Sequence, residues 1–264
     1  MTASNDLFFR TVAALERAGC VAADEEAIEL IASVDGDSGR LDALVARRSS
    51  GEPLAWLTGR VTFCDVEIVV DPGVYVPRPQ SWPLAERAWE CLPSGGVAVD
   101  LGTGSGAIAA AVARRRPDAT VIGTEVDPLA RRCAKRNGVT VVSGPLFDGL
   151  PLAMRGAVDV VVGVLPYVPS DQLQFLPRDV LAYEPRAALD GGEAGLKVLS
   201  AAVSESAKWL RDGGTLLLEV GGEQPTALGP VLSAAGFTAP RVLYDAEGDA
   251  RGVEAVAVWR HVAR

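Results

Sequence analysis

A single histidine, His261, occurs in the 264 residues, close to the C-terminal end. That scarcity argues against His-rich metal sites and against a Ser-His-Asp or Cys-His catalytic machine. Lysine is almost as rare, at Lys135, Lys197 and Lys208, the other basic residues being arginine. This bias fits the codon usage of a GC-rich genome and carries no functional reading. The four cysteines, Cys20, Cys64, Cys91 and Cys133, form no CxxC. A zinc knuckle or vicinal redox pair is thereby excluded, leaving reduced, mostly buried thiols as the expectation. Positive charge is in deficit, 25 Lys and Arg against 34 Asp and Glu for a net −9. That disfavours phosphate-backbone binding and adhesion to anionic membranes. No run approaches the roughly 20 apolar residues of a membrane span. The most apolar stretch, 156–168, is broken by Asp159 and Pro166, and the N-terminal residues carry no apolar signal core. The expectation is a soluble, cytoplasmic protein with no metal, nucleic acid or membrane as partner.

What the chain does have is 48% hydrophobic residues and enough length for one large domain, or a domain with a small appendage. Its apolar period changes along the way. Residues 7–18, 25–34 and 41–48 repeat at helical spacing, with a turn cluster at 35–39. Over 61–70 apolar and polar residues largely alternate, Asp71-Pro72-Gly73 is a turn signal, and 74–76 is apolar again. This predicts a β-hairpin turning at 71–73. From about residue 82 strands alternate with helices. The strands fall at 97–101, 120–124, 139–143, 158–164 and 214–220, and the helices at 107–115, 128–137, 194–210 and 224–235. An antiparallel pair at 241–244 and 253–259 closes the chain. The alternation predicts an α/β fold, a parallel sheet with helices on both faces.

The strongest chemical signal is the run VAVDLGTGSGAI at 97–108. A strand delivers Asp100, a glycine loop follows, and a helix begins. Glycines let the backbone approach a ligand, and the helix N-terminus favours an electron-rich group. The next strand leads into Glu125, placed to accept hydrogen bonds from two ribose hydroxyls. An acid directly before the loop suits a cationic ligand more than a pyrophosphate. That points to S-adenosylmethionine, with its sulfonium and ammonium groups, rather than NAD. A bare G-x-G-x-G leaves nicotinamide chemistry open. The plainer alternative is that the glycines only pack helix against strand.

The run DLGTGSGAI, with EVDP at 125–128, resembles motifs I and II of class I S-adenosylmethionine-dependent methyltransferases. Four further runs occur in the order of the HemK/PrmC family: RRSSGEPLAWLTG at 47–59, VPRP at 76–79, YEPRAAL at 183–189 and LLLE at 216–219 followed by Gly221. They resemble its R-R-x-x-G-E-P-I-A-x-L-x-G, I-P-R-P, F/Y-E-P-x-x-A-L and L-L-L-E-x-G, from about residue 40 to the end. That family methylates the side-chain amide nitrogen of glutamine in peptide-chain release factors. The resemblance implies a helical N-terminal domain (1–60), a β-hairpin linker (61–80) and a Rossmann-like class I methyltransferase domain (81–264). It implies S-adenosylmethionine held by Asp100, Gly102, Thr103, Gly104, Gly106, Glu125, Leu146 and Val164. It assigns the acceptor side to Pro166, Tyr167 and Glu184.

Three positions depart from the family. Its N-P-P-Y is Val164-Leu165-Pro166-Tyr167 here. In the family the Asn side chain and a nearby carbonyl accept hydrogen bonds from the acceptor NH2. Val164 cannot accept through its side chain, a loss of about 1–3 kcal/mol. Pro145 stands where an Asp often meets adenine, leaving adenine to backbone and to Leu146 or Phe147. Gln80-Ser81-Trp82 replaces x-T-E, setting an aromatic where a charge sits at the rim. These changes lean towards a retuned acceptor, either a protein glutamine with backbone carbonyls replacing the Asn, or a small amine, amide or guanidine met by Glu184. The plainer role for Tyr167 is a core aromatic. For Glu184 it is a helix cap or an ion pair with Arg178 or Arg186. A catalytically degenerate S-adenosylmethionine-binding interaction protein is the second class. Methyl transfer by alignment needs no dedicated base, in keeping with the scarcity of histidine.

Overall fold

The computed structural model describes residues 3–258; His261 and the end of the last predicted strand, residue 259, lie outside them, as does the side chain of Arg178. Helices α1 (Ala3–Arg17), α2 (Ala23–Ala32) and α3 (Ser38–Ser49) bury Leu15, Ala27, Leu30 and Leu41 in a core of their own. Asp37 starts α3 by accepting from the Arg40 amide at 2.9 Å, the usual work of an N-cap carboxylate. Arg48 in its last turn forks onto Glu26 of α2 at 2.7 and 3.0 Å, and Arg47 forks onto Glu52 at 2.8 and 2.6 Å. The Arg-Arg and Gly-Glu-Pro residues thus fasten the helices to the chain that follows. A short α4 (Leu54–Thr58) comes next.

Strands β1 (Arg60–Phe63) and β2 (Val66–Val69) form the hairpin, paired with Phe63 opposite Val66. Its turn is Cys64-Asp65, not the expected 71–73. Both turn residues have positive φ, 48° and 61°, a backbone whose twist matches that of the flanking strands. The predicted single strand 61–70 is therefore both arms of the hairpin. The turn at Asp71-Gly73 instead sends 74–76 towards the sheet, where the Val74 carbonyl accepts from the Trp56 indole at 3.0 Å.

The remainder is α5 (Trp82–Cys91), β3 (Val97–Leu101), α6 (Ala107–Arg115), β4 (Thr120–Glu125), α7 (Pro128–Arg136) and β5 (Thr140–Ser143). Then come β6 (Val158–Gly163), α8 (Arg178–Tyr183), α9 (Lys197–Trp209), β7 (Leu210–Glu219), α10 (Gln224–Ala234), β8 (Arg241–Tyr244) and β9 (Ala250–Val256). The sheet order is β5-β4-β3-β6-β7-β9-β8, parallel except where β9 pairs antiparallel with β7 and β8. Alternate strand residues bury on opposite faces. Val160, Val162 and Leu217 pack with α5 and α6, while Val161, Leu216 and Leu218 pack with α9 and α10. Burial on both faces explains the unbroken apolar runs. The chain runs outward from β3 to β5 and returns to β6 on the far side of β3. A crevice at the carboxyl ends of β3 and β6 is the place such sheets bind ligands. Among the described residues no helix is long and apolar enough to cross a membrane.

Candidate active site

A pocket with about 1180 Å3 of empty space, its open mouth included, lies at that switch point. It is lined by Asp100, the loop from Gly102 to Ser105, and Glu125 to Asp127. Tyr75, Ser81, Val164 to Tyr167, Pro185 and Leu189 line it as well.

Asp100, 2% exposed, accepts from the Thr103 hydroxyl at 2.5 Å and from the Ala109 amide at 3.2 Å through one oxygen, Oδ2. Burial dominates these bonds and pushes its carboxyl up to about 7. Glu125 braces the glycine loop: Oε2 accepts from the Gly104 amide and Oε1 from the Asp127 amide, both at 2.9 Å. A carboxylate has about four lone-pair sites, so both oxygens can still accept from a ligand. Asp127 then caps α7 through the Leu129 amide at 2.8 Å. Gly102 and Gly104 line the pocket with φ of 61° and 57°. Gly106 does not line it. It starts α6, where a Cβ would come within 2.8 Å of Val139 and 3.1 Å of Ala134, so the plainer packing role holds at this glycine.

Leu146 and Phe147 lie off the pocket wall. Phe147 stacks on Trp209 with centroids 5.3 Å apart, and Leu146 packs against the same core. With φ of 48° at Leu146, the chain leaving β5 turns these side chains onto the α9 face. The apolar residues beside Glu125 on the wall are Val126 and Ala130 instead.

Glu184 also lies off the wall. It is buried against Arg78, while Arg186 pairs with Asp190 at 3.1 Å and the Arg178 side chain lies outside the described residues. Arg78 in turn sits 5.6 Å from the Tyr75 ring centre. Burial raises the Glu184 carboxyl despite Arg78, and its Oε2 has no hydrogen-bond partner among the described residues. Trp82 is 39% exposed at the start of α5, while Ser81 before it faces the pocket. Tyr167 lines the pocket while its ring packs against the α9-side core. Burial raises its phenol, with the Glu219 carboxylate adding to the effect. Its carbonyl accepts from Gln224 Nε2 at 2.7 Å, and Gln224 also donates to Ala194 at 3.0 Å. A Cβ on Gly195, whose φ is 69°, would fall 1.9 Å from the Tyr167 oxygen.

Tyr75, Ser81, Gln224 and Asn137 carry no expectation from sequence. Tyr75 was read into a strand arm, and Ser81 flanks the Pro-Arg-Pro run without a periodic signal. Asn137 accepts from the Val69 amide at 2.9 Å and donates to Val69 and Ser105 carbonyls, both at 2.8 Å. Among the described residues no group of His, Cys, Asp and Glu is arranged to hold a metal.

No protein-family model matches the chain. It is 41% identical over 201 residues to the release factor glutamine methyltransferase of Geobacter sulfurreducens, covering 74% of this chain and 69% of that protein. The Neisseria gonorrhoeae protein of the same name is 34% identical, covering 79% and 78%. That of Mycobacterium leprae is 37% identical, covering 79% and 80%. Among solved structures, a methyltransferase from Pyrococcus furiosus superposes with TM-score 0.51 at 22% identity, covering 72% of this chain and 88% of that one. The T. thermophilus 16S rRNA N2 G1207 methyltransferase, in complex with AdoMet and guanosine, gives TM-score 0.50 at 18% identity, covering 78% and 46%. These two show the fold alone.

Proposed function

The chain belongs to the release factor glutamine methyltransferase family of S-adenosylmethionine-dependent N-methyltransferases, and from that membership we propose that it methylates the side-chain amide of a glutamine in a peptide-chain release factor. S-adenosylmethionine, when bound, supplies an electrophilic methyl group on a sulfonium centre. The residues present suit it. Asp100 is a desolvated carboxylate whose ionised form gains from a cationic neighbour. Gly102 and Gly104 allow close backbone approach, Glu125 keeps lone pairs for ribose hydroxyls, and Val126 and Ala130 offer an apolar surface to adenine. Pro166 and Tyr167, which line the same pocket together with Val164, hold the acceptor nitrogen in line and exclude water. Orientation of this kind supplies the larger part of such a transfer, and no proton relay is required.

The observation that carries the glutamine reading over a cationic acceptor is the state of Glu184. Glu184 is the carboxylate that would meet a cationic amine or guanidine, and it is committed to Arg78 and absent from the pocket lining. A neutral amide suits what is left. Family membership likewise disfavours a degenerate, non-catalytic protein. The division at residues 60 and 80 into helical domain, hairpin linker and methyltransferase domain is supported by the separate core of α1 to α3. The test is conversion of S-adenosylmethionine to S-adenosylhomocysteine with a release factor, with mass spectrometry of the product. One added methyl on a glutamine is expected. Turnover with small amines or guanidines but none with a release factor would overturn the assignment.

A further inference from the structure

Past Gly163 the chain leaves β6 and runs through Pro166, Tyr167 and Val168, all of which line the pocket. Pro166 has no N–H, so carbonyls carry more of the anchorage of this segment. Val168 is tied to the loop before α9: its amide donates to the Leu189 carbonyl at 3.0 Å, and its carbonyl accepts from the Gly191 amide at 2.9 Å. The Tyr167 carbonyl goes elsewhere, to the side chain of Gln224, which is 7% exposed at the start of α10.

Gln224 spends both hydrogens of its amide. Nε2 donates to the Tyr167 carbonyl at 2.7 Å and to the Ala194 carbonyl at 3.0 Å, while Oε1 accepts from the Gly221 amide at 3.0 Å. A flipped amide would set oxygen against two carbonyls and NH2 against an N–H, so one orientation is fixed. The three partners lie on three segments: after β6, before α9 and after β7. The middle one is strained into place. Ala194 offers its carbonyl from a left-handed backbone with φ of 52°. Gly195 passes so close that a Cβ would fall 1.9 Å from the Tyr167 oxygen and 2.4 Å from Gln224 Nε2. A left-handed residue with a Cβ persists where its surroundings over-determine it, and such strain clusters at functional sites. Here the surroundings are one buried amide and the peptide of a pocket residue.

We propose that Gln224 is a positioning residue for methyl transfer: by gathering three loops onto one buried amide, it sets the Tyr167 peptide and so the lining from Pro166 to Val168 that meets the acceptor. This rests on the reading that places the acceptor glutamine against Pro166 and Tyr167. Asp100, the glycine loop and Glu125 stand on other segments, so Gln224 governs the acceptor end and leaves the cofactor end alone. Two substitutions separate its amide from its bulk. Gln224→Glu keeps the shape but, once ionised, gives no hydrogen to either carbonyl. Gln224→Met keeps the length and gives none at any pH.

The experiment measures kcat and KM on a release factor for the wild type and both variants. Calorimetry with S-adenosylmethionine gives affinity and the number of binding sites, and kcat is counted per binding site so that unfolded protein drops out. A displacement on the order of 1 Å at the reacting groups is enough for a loss of about tenfold or more in kcat per site, which is expected for both variants. Cofactor affinity should stay within about twofold of wild type, the loss being carried by kcat and not by KM. A merely structural Gln224 would lower the number of binding sites but leave kcat per site at the wild-type value, and that result overturns the inference. Cofactor affinity falling in step with kcat overturns it too, since the disturbance then reaches beyond the acceptor end. Where Gln224→Glu does not fold, Gln224→Met decides by the same criteria. Failure of both to fold assigns Gln224 to the fold and overturns the inference as well. A wild type inactive on release factors overturns the acceptor reading and this inference with it. An active wild type with equally active variants overturns this inference alone.

Discussion

Replacing Asp100 by asparagine separates the stability of the fold from the needs of the site. Burial lifts the folded carboxyl from 3.8 to about 7, so the folded protein keeps this proton to higher pH than the unfolded chain does. The contribution to stability is therefore favourable at low pH, is lost as pH climbs from 3.8 to about 7, and stays lost above. At 1.36 kcal/mol per pKa unit, that interval is on the order of 4 kcal/mol. Asparagine keeps an oxygen for the Thr103 hydroxyl and the Ala109 amide but never ionises. The variant should unfold at higher urea than wild type at pH 8, with the gap closing towards pH 4. Cofactor binding should move the opposite way. At a ligand concentration 100 times Kd, wild type gains about 2.7 kcal/mol from S-adenosylmethionine, and a tenfold weaker variant gains about 1.4 kcal/mol. Urea melts from pH 4 to 8, with and without the cofactor, read both quantities. A variant less stable than wild type at pH 8, or one stabilised equally by the cofactor, would refute the reasoning.

Arg78→Ala leaves the Glu184 carboxyl buried without its counter-charge and should cost about 3 kcal/mol in urea melts. Adding Glu184→Gln should recover part of that loss; no recovery would mean that Arg78 acts by packing alone. Gly195→Ala drives a methyl into the Tyr167 carbonyl at a left-handed backbone position, and should destabilise by several kcal/mol, about 3 or more. A melt unchanged from wild type would contradict the close approach. Trp56→Phe leaves the Val74 carbonyl without its indole donor and should cost about 1–3 kcal/mol with cofactor affinity intact, checked by melts and calorimetry.

The motif-bearing strand and helix at 97–101 and 107–115 were readable to the residue, because apolar run, glycine loop and helical period change at sharp borders. The hairpin turn was not. Asp71-Pro72-Gly73 has the composition of a turn, whereas Cys64-Asp65 does not, and only its left-handed φ values reveal it. Asp100 and Glu125 line one pocket because a single short βαβ unit carries both to the carboxyl end of the sheet. The partner of Glu184 was out of reach, since Arg78 lies 106 positions away on another element. Leu146 and Phe147 face away from the pocket for a related reason. A backbone reversal decides which face a loop side chain takes, and residue type alone does not encode it.

Asn137 uses its carbonyl and its amide to join β2 of the hairpin to Ser105 of the glycine loop. The glycine loop of the pocket and the strand that follows the N-terminal helices are thus joined through one side chain. Any binding free energy coupled through that joint acts equally in both directions. A macromolecule that grips the helical end and tightens the nucleoside site by some factor is itself held more tightly by that same factor once the nucleoside site is filled.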